Sequence, residues 1–126
     1  IAQATARILS QICTRGNGSF SPADGGGIYH MTAGGQTSWF DFAQAILEKA
    51  RTTDAGRPWF ASATNRLPLI ARQIIPIPAS EYPTPARRPA YSVLSNERLA
   101  RTFSVQLPNW QAQLQSVFAE PSPEEL

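Results

Sequence analysis

Gly34-Gly35-Gln36-Thr37-Ser38-Trp39-Phe40-Asp41-Phe42-Ala43-Gln44-Ala45-Ile46-Leu47-Glu48-Lys49-Ala50 holds the best-marked element of the sequence. The glycine pair ends whatever precedes it. Ser38 can accept a backbone N–H at a helix start, and Asp41 three residues later resembles the second half of a capping box while suiting the positive helix end. Trp39, Phe42, Ala43, Ile46, Leu47 and Ala50 then recur at i, i+3, i+4, i+7, i+8 and i+11. That is a wide stripe for facing a core. Lys49 and Arg51 complement the negative pole. The pattern predicts an amphipathic helix entered from a turn.

Working outward, Ile28–Thr32 has β-branched and aromatic members and predicts a short strand running into Gly34-Gly35. Residues 16–27 are rich in Gly, Ser and Pro and read as a surface loop. Before them, Ile1, Ala4, Ile8, Leu9 and Ile12 share one face of a helix. The sequence opens inside that periodicity with no leader pattern, which reads as a piece of a longer protein.

Downstream, Pro58, Pro68, Pro76, Pro78, Pro83, Pro85 and Pro89 each fix φ and remove a donor, which excludes a long helix or a central strand through those positions. Leu69–Ile77 is expected to give one strand, with Ile74, Ile75 and Ile77 as its apolar content. Residues 81–90 predict an extended loop whose prolines reduce the entropy lost on ordering, useful where a loop must hold a ligand. Ser95 is expected to cap a helix carrying Leu99, Ala100 and Phe103, and Trp110, Leu114, Val117 and Phe118 mark a last one. The tail Glu120–Leu126 should fray. Short strands with about four helices make an α/β segment, with residues 1–119 as one domain and 120–126 as tail.

Composition narrows the function. With 126 residues, 42% hydrophobic and 16% charged, the chain is too apolar for disorder and too lightly charged for a coiled coil. No apolar run approaches the roughly 20 residues that span a bilayer. Net charge is +2, but the basic residues are scattered, only Arg87 and Arg88 being adjacent. Nucleic acid is therefore not an expected partner. Cys13 stands alone, which rules out an internal disulfide and a cysteine zinc site; a small buried hydrophobe in a reducing cytoplasm fits it best.

The catalytic inventory is thin. Neither G-x-G-x-x-G nor a P-loop is present, and Gly34-Gly35 reads better as a turn than as a phosphate nest. His30 is the only histidine and reads better as a hydrogen-bonded core residue than as a ligand or base. No Tyr-x-x-x-Lys pair exists: Tyr29, Tyr82 and Tyr91 are followed four residues on by Ala33, Ala86 and Ser95. No catalytic and no metal residues are expected. What remains is Arg87-Arg88 in a proline-stiffened loop, where guanidinium forks suit phosphate oxygens. Solvated surface charges explain the pair equally well.

Three segments resemble the dTDP-4-dehydrorhamnose reductases, a family of extended short-chain dehydrogenase/reductases. They are Gly27–Ala43, matching G-x-Y-H-x-x-x-G-G-x-T-S/T-W-x-D-[FY]-A; Tyr82-Pro83-Thr84-Pro85-Ala86-Arg87-Arg88-Pro89 with Ser92 and Leu94; and Leu107-Pro108-Asn109-Trp110. The resemblance runs from Ile1 to Phe118, and residues 54–73 depart from it by being longer.

The resemblance implies that this is the C-terminal, sugar-nucleotide-binding portion. The Rossmann domain, with NADPH or NADH and the Tyr-x-x-x-Lys pair, would lie on an N-terminal domain absent from this chain. The expected substrate is a dTDP-sugar, dTDP-4-dehydro-6-deoxy-L-mannose, reduced to dTDP-L-rhamnose. Arg87 or Arg88 would meet the diphosphate, with Tyr82 and Thr84 lining the same loop. Trp39 and Trp110 fall on family positions and are assigned to packing. Alone, the chain is expected to bind no nicotinamide and to be inactive, and helix faces left by the missing half admit a homodimer. Relatives of the fold also include the non-catalytic β subunit of methionine adenosyltransferase and other nucleotide-sugar reductases and epimerases, so those readings stay open.

Overall fold

The computed structural model describes residues 1–15, 25–82, 84–86 and 88–119. They form five α-helices: α1 (Ala2–Arg15), α2 (Trp39–Thr52), α3 (Pro58–Ala63), α4 (Glu97–Phe103) and α5 (Trp110–Ala119), with a 3₁₀ turn at Ala79–Glu81. The chain divides into two units, one made of Ile1–Gly35 with Ser92–Trp110, the other of Gln36–Tyr91 with the chain from Gln111 on.

The first unit is built on α4. Leu99 and Val105 are each 1% exposed and Phe103 5%, and Ala4, Ile8, Ile12, Tyr29, Met31 and Leu107 pack around them. Ala4, Ile8 and Ile12 belong to the predicted face of α1, and Gln11 on that helix donates to Phe103 O at 2.9 Å. The other members of the α1 pattern, Ile1 and Leu9, are exposed; Cys13 is exposed as well, so the expectation of a buried cysteine is not met. Ser104 ends α4 in the left-handed conformation, φ 51°, and Val105 directly after it is buried.

Neither predicted strand forms among the described residues. The one β feature is an isolated parallel bridge between Gly34 and Asn109, in which Gly34 N donates to Pro108 O and Trp110 N to Gly34 O. A strand needs a neighbour to take its backbone groups. At Thr32 a side chain does this instead: Asn96 Nδ2 donates to Thr32 O at 2.7 Å, and Thr32 N donates to Asn96 Oδ1 at 3.1 Å. In 69–77, Pro76 cannot donate to a ladder, and Arg51 takes the carbonyls of Ala71 and Arg72. Asn96 rather than Ser95 is the α4 cap residue, while Ser95 Oγ accepts from Glu97 N at 3.2 Å.

The second unit contains α2. Ser38 Oγ accepts from Asp41 N at 3.0 Å and donates to Asp41 Oδ2 at 2.7 Å, closing the cap the sequence indicates. Leu47, 8% exposed, is the buried residue of α2, and the predicted stripe fails at its first position, because Trp39 is 87% exposed. The short α3 is an addition to the sequence expectation. Pro58 stands at its first position, where a missing N–H costs nothing. Trp59 packs edge-on against Phe60 and Phe118, each with centroids 5.5 Å away, and Arg57 donates to Phe118 O at 2.7 Å. Among the described residues the buried indole N–H of Trp59 has no hydrogen-bond partner.

Candidate functional site

The arginine loop begins where the 3₁₀ turn ends at Tyr82. Tyr82 is 68% exposed; Thr84 and Arg88 are exposed. Thr84 Oγ1 donates to Ala86 O at 2.8 Å, a local turn that fixes the approach to the arginines. Arg88 has no acidic partner among the described residues, so its charge faces solvent. Arg87 lies outside the described residues, as does Pro83. The loop returns to the start of the unit at Tyr91, whose hydroxyl donates to Gln36 Oε1 at 3.4 Å. Tyr82, Thr84 and Arg88 therefore share one loop, and the structure gives no contact between their side chains.

Gly34 pairs with Asn109 in the isolated bridge and Gly35 bends the chain, so the tight turn between strand and helix that the sequence reading favours is not what forms. The Gly34 N–H is committed to Pro108, and Gly35 has φ 80° beside the Trp110 ring. That amide is thus not offered to a phosphate. His30 is exposed rather than in a core. Tyr29 is occupied structurally: its hydroxyl donates to Gly25 O at 2.7 Å, its ring meets Phe103 at 5.1 Å, and Arg98 sits 4.8 Å over it. Among the described residues, no group of three His, Cys, Asp or Glu side chains is placed to hold a metal. A nicotinamide dinucleotide needs a glycine-rich turn with free amides at the start of a helix. The one glycine pair before a helix here has its first amide spent on Pro108, so the described residues do not fit that cofactor.

The sequence of residues 1–122 matches the RmlD substrate binding domain. The chain belongs to that family. Among similar proteins, a dTDP-4-dehydrorhamnose reductase of Burkholderia thailandensis is 44% identical over 111 residues, 87% of this chain and 33% of the relative. That of Escherichia coli K12 is 36% identical over 97 residues, 77% of this chain and 28% of the relative. That of Sinorhizobium fredii is 39% identical over 93 residues, 74% of this chain and 27% of the relative. The RmlD-type chain thus spans about a third of the curated relatives it matches. No helix among the described residues is long and apolar enough to cross a membrane.

Sequence reasoning missed two features. The carboxamide clamp of Asn96 on Thr32 joins residues 64 positions apart, and nothing local marks it. The second is a cleft beside α3. Its only trace is the extra length noted between residues 54 and 73.

Proposed function

We propose that residues 1–119 are the sugar-nucleotide-binding part of a cytoplasmic NAD(P)H-dependent dTDP-4-dehydrorhamnose reductase. The observation that carries this reading is the family match over 1–122, together with relatives bearing that name. The substrate would be dTDP-4-dehydro-6-deoxy-L-mannose and the product dTDP-L-rhamnose. The nicotinamide cofactor, bound elsewhere in the full-length protein, supplies the hydride. This chain's part is to bind and orient the nucleotide sugar. Arg88, with Arg87 beside it in sequence, would form charge-assisted hydrogen bonds to the diphosphate, while Tyr82 and Thr84 shape the loop.

The surface of the first unit supports a partner domain of the same protein. Leu9 and Cys13 lie one turn apart on α1 and are exposed, and Ile28 of the same unit is exposed too. Apolar groups so placed are stabilised by being covered. The test uses the complete protein with the dTDP-4-keto sugar and NADPH, following cofactor oxidation. Arg88→Ala should raise KM at least tenfold with little change in kcat, the loss of a charge-assisted contact of about 1.5–3 kcal/mol. Unchanged KM in both Arg87→Ala and Arg88→Ala would remove the loop from the binding site. Failure of the wild-type protein to oxidise NADPH with this sugar would remove the substrate assignment.

A further inference from the structure

The second unit contains a cleft of about 1360 Å³, and no described residue of the 82–88 loop lines it. Its walls are the end of α2, the short α3 and the segment that doubles back after it. Three arginines line it: Arg51, Arg66 and Arg72. No Asp or Glu does. Asp54, the acid closest in sequence to α3, accepts a hydrogen bond from Gly56 N at 2.9 Å. Arg51 is held in place by donating to the carbonyls of Ala71 and Arg72, which fastens the returning segment to α2. Arg66 has no acidic partner among the described residues, and neither does Arg72. Arg66 stands second in a pair of consecutive left-handed residues, with φ 52° at Asn65 and 58° at Arg66. Side chains with a Cβ adopt that conformation at a cost, and here it reverses the chain so that Arg66 and Arg72 border the same opening. Phe60, Leu67 and Leu69 supply an apolar wall to the same space.

Like charges gathered without counter-charges favour an anion, and guanidinium forks match phosphate oxygens in pairs. Apolar walls with a few convergent polar groups describe a small-molecule site. We propose that this cleft is a second binding site, separate from the 82–88 loop, for a phosphorylated ligand with an apolar body, the class to which nucleoside diphosphates belong. The α3 segment builds the site. Arg66 and Arg72 grip the phosphates, Arg51 holds the cleft shut at its far side, and the Phe60 wall takes the ring system.

The proposal stands apart from the assignment of the 82–88 loop, and its test keeps the two distinguishable. Isothermal titration of the intact protein would use dTDP and inorganic diphosphate as separate probes. The proteins would be wild type, Arg88→Ala, Arg72→Ala and the double variant Arg66→Ala/Arg72→Ala. Wild type should bind dTDP at two sites. The double variant should weaken one of them tenfold or more, Arg72→Ala should do so in part, and Arg88→Ala should leave that site intact. Inorganic diphosphate should bind there more weakly than dTDP. In ¹⁵N spectra, the Gly56 and Asn65 amides should shift with either probe. The proposal is overturned if the double variant, its circular dichroism unchanged, gives the wild-type isotherm. Loss of all dTDP binding in Arg88→Ala alone overturns it too, as would equal affinity for the two probes.

Discussion

Replacing Asn96 by Ala removes the groups that, among the described residues, meet the backbone of Thr32. The carboxamide provides a donor 2.7 Å from Thr32 O and an acceptor 3.1 Å from Thr32 N, with the Thr32 hydroxyl a further 3.3 Å donor to the same oxygen. Each hydrogen bond contributes about 0.5–1.5 kcal/mol net, so the two backbone bonds together give a loss of about 1–3 kcal/mol. Both residues are half-buried, which lets water reach part of what the substitution exposes and sets the expectation in the lower half of that range. Asn96→Asp sharpens the test. It keeps the acceptor for Thr32 N but sets a carboxylate oxygen against Thr32 O, so it should cost at least as much as Ala despite being nearly isosteric. Hydrogen exchange reads the effect locally. Protection of the Thr32 amide should fall about five- to thirtyfold in Asn96→Ala, at about 1.4 kcal/mol per tenfold change. Amides in α2, in the other unit, should be unaffected. Unaltered Thr32 protection in Asn96→Ala, or an Asn96→Asp variant as stable as wild type, would refute the clamp.

Leu99→Ala empties the centre of the first unit, where the side chain is 1% exposed, and should cost about 2–5 kcal/mol in urea unfolding. A loss below 1 kcal/mol would mean that α4 is not the core element. Gly35→Ala must hold φ 80° and sets a methyl 3.4 Å from Trp110 Cδ1, so destabilisation of about 1–2 kcal/mol is expected, seen as a lowered melting temperature. Trp59→Phe keeps an aromatic ring against Phe118 while deleting a buried N–H that has no partner, and should leave stability within about 1 kcal/mol of wild type. A much larger loss would show that the indole nitrogen has a partner after all.

The helices were legible because their signals are local. Ser38 and Asp41 marked the start of α2 and close the cap as read, and the spacings of α1, α4 and α5 each give a helix. The strands at Ile28–Thr32 and Leu69–Ile77 were not, because pairing depends on a neighbour that spacing cannot supply. A side chain 64 residues away took the backbone of Thr32 instead. Proline counting obscured α3: the ring that forbids a helix interior is favourable at its first position, where Pro58 stands. Trp39 misled in the opposite sense, since apolar periodicity says which residues share a face but not whether that face is covered. The proposed sugar-nucleotide site rests on a sequence motif, and the structure adds that Tyr82, Thr84 and Arg88 are exposed on one loop. The three arginines of the cleft had no motif, being brought together by a chain reversal at Asn65 and Arg66.

The grip that Arg57 and Trp59 keep on Phe118 means that the last turn of α5 belongs structurally to residues sixty positions earlier. Anyone shortening this polypeptide to ease its production would be tempted to trim back from the acidic end. A cut before Phe118 would take away the backing of α3 and loosen one wall of the cleft, so the safe boundary lies beyond Ala119.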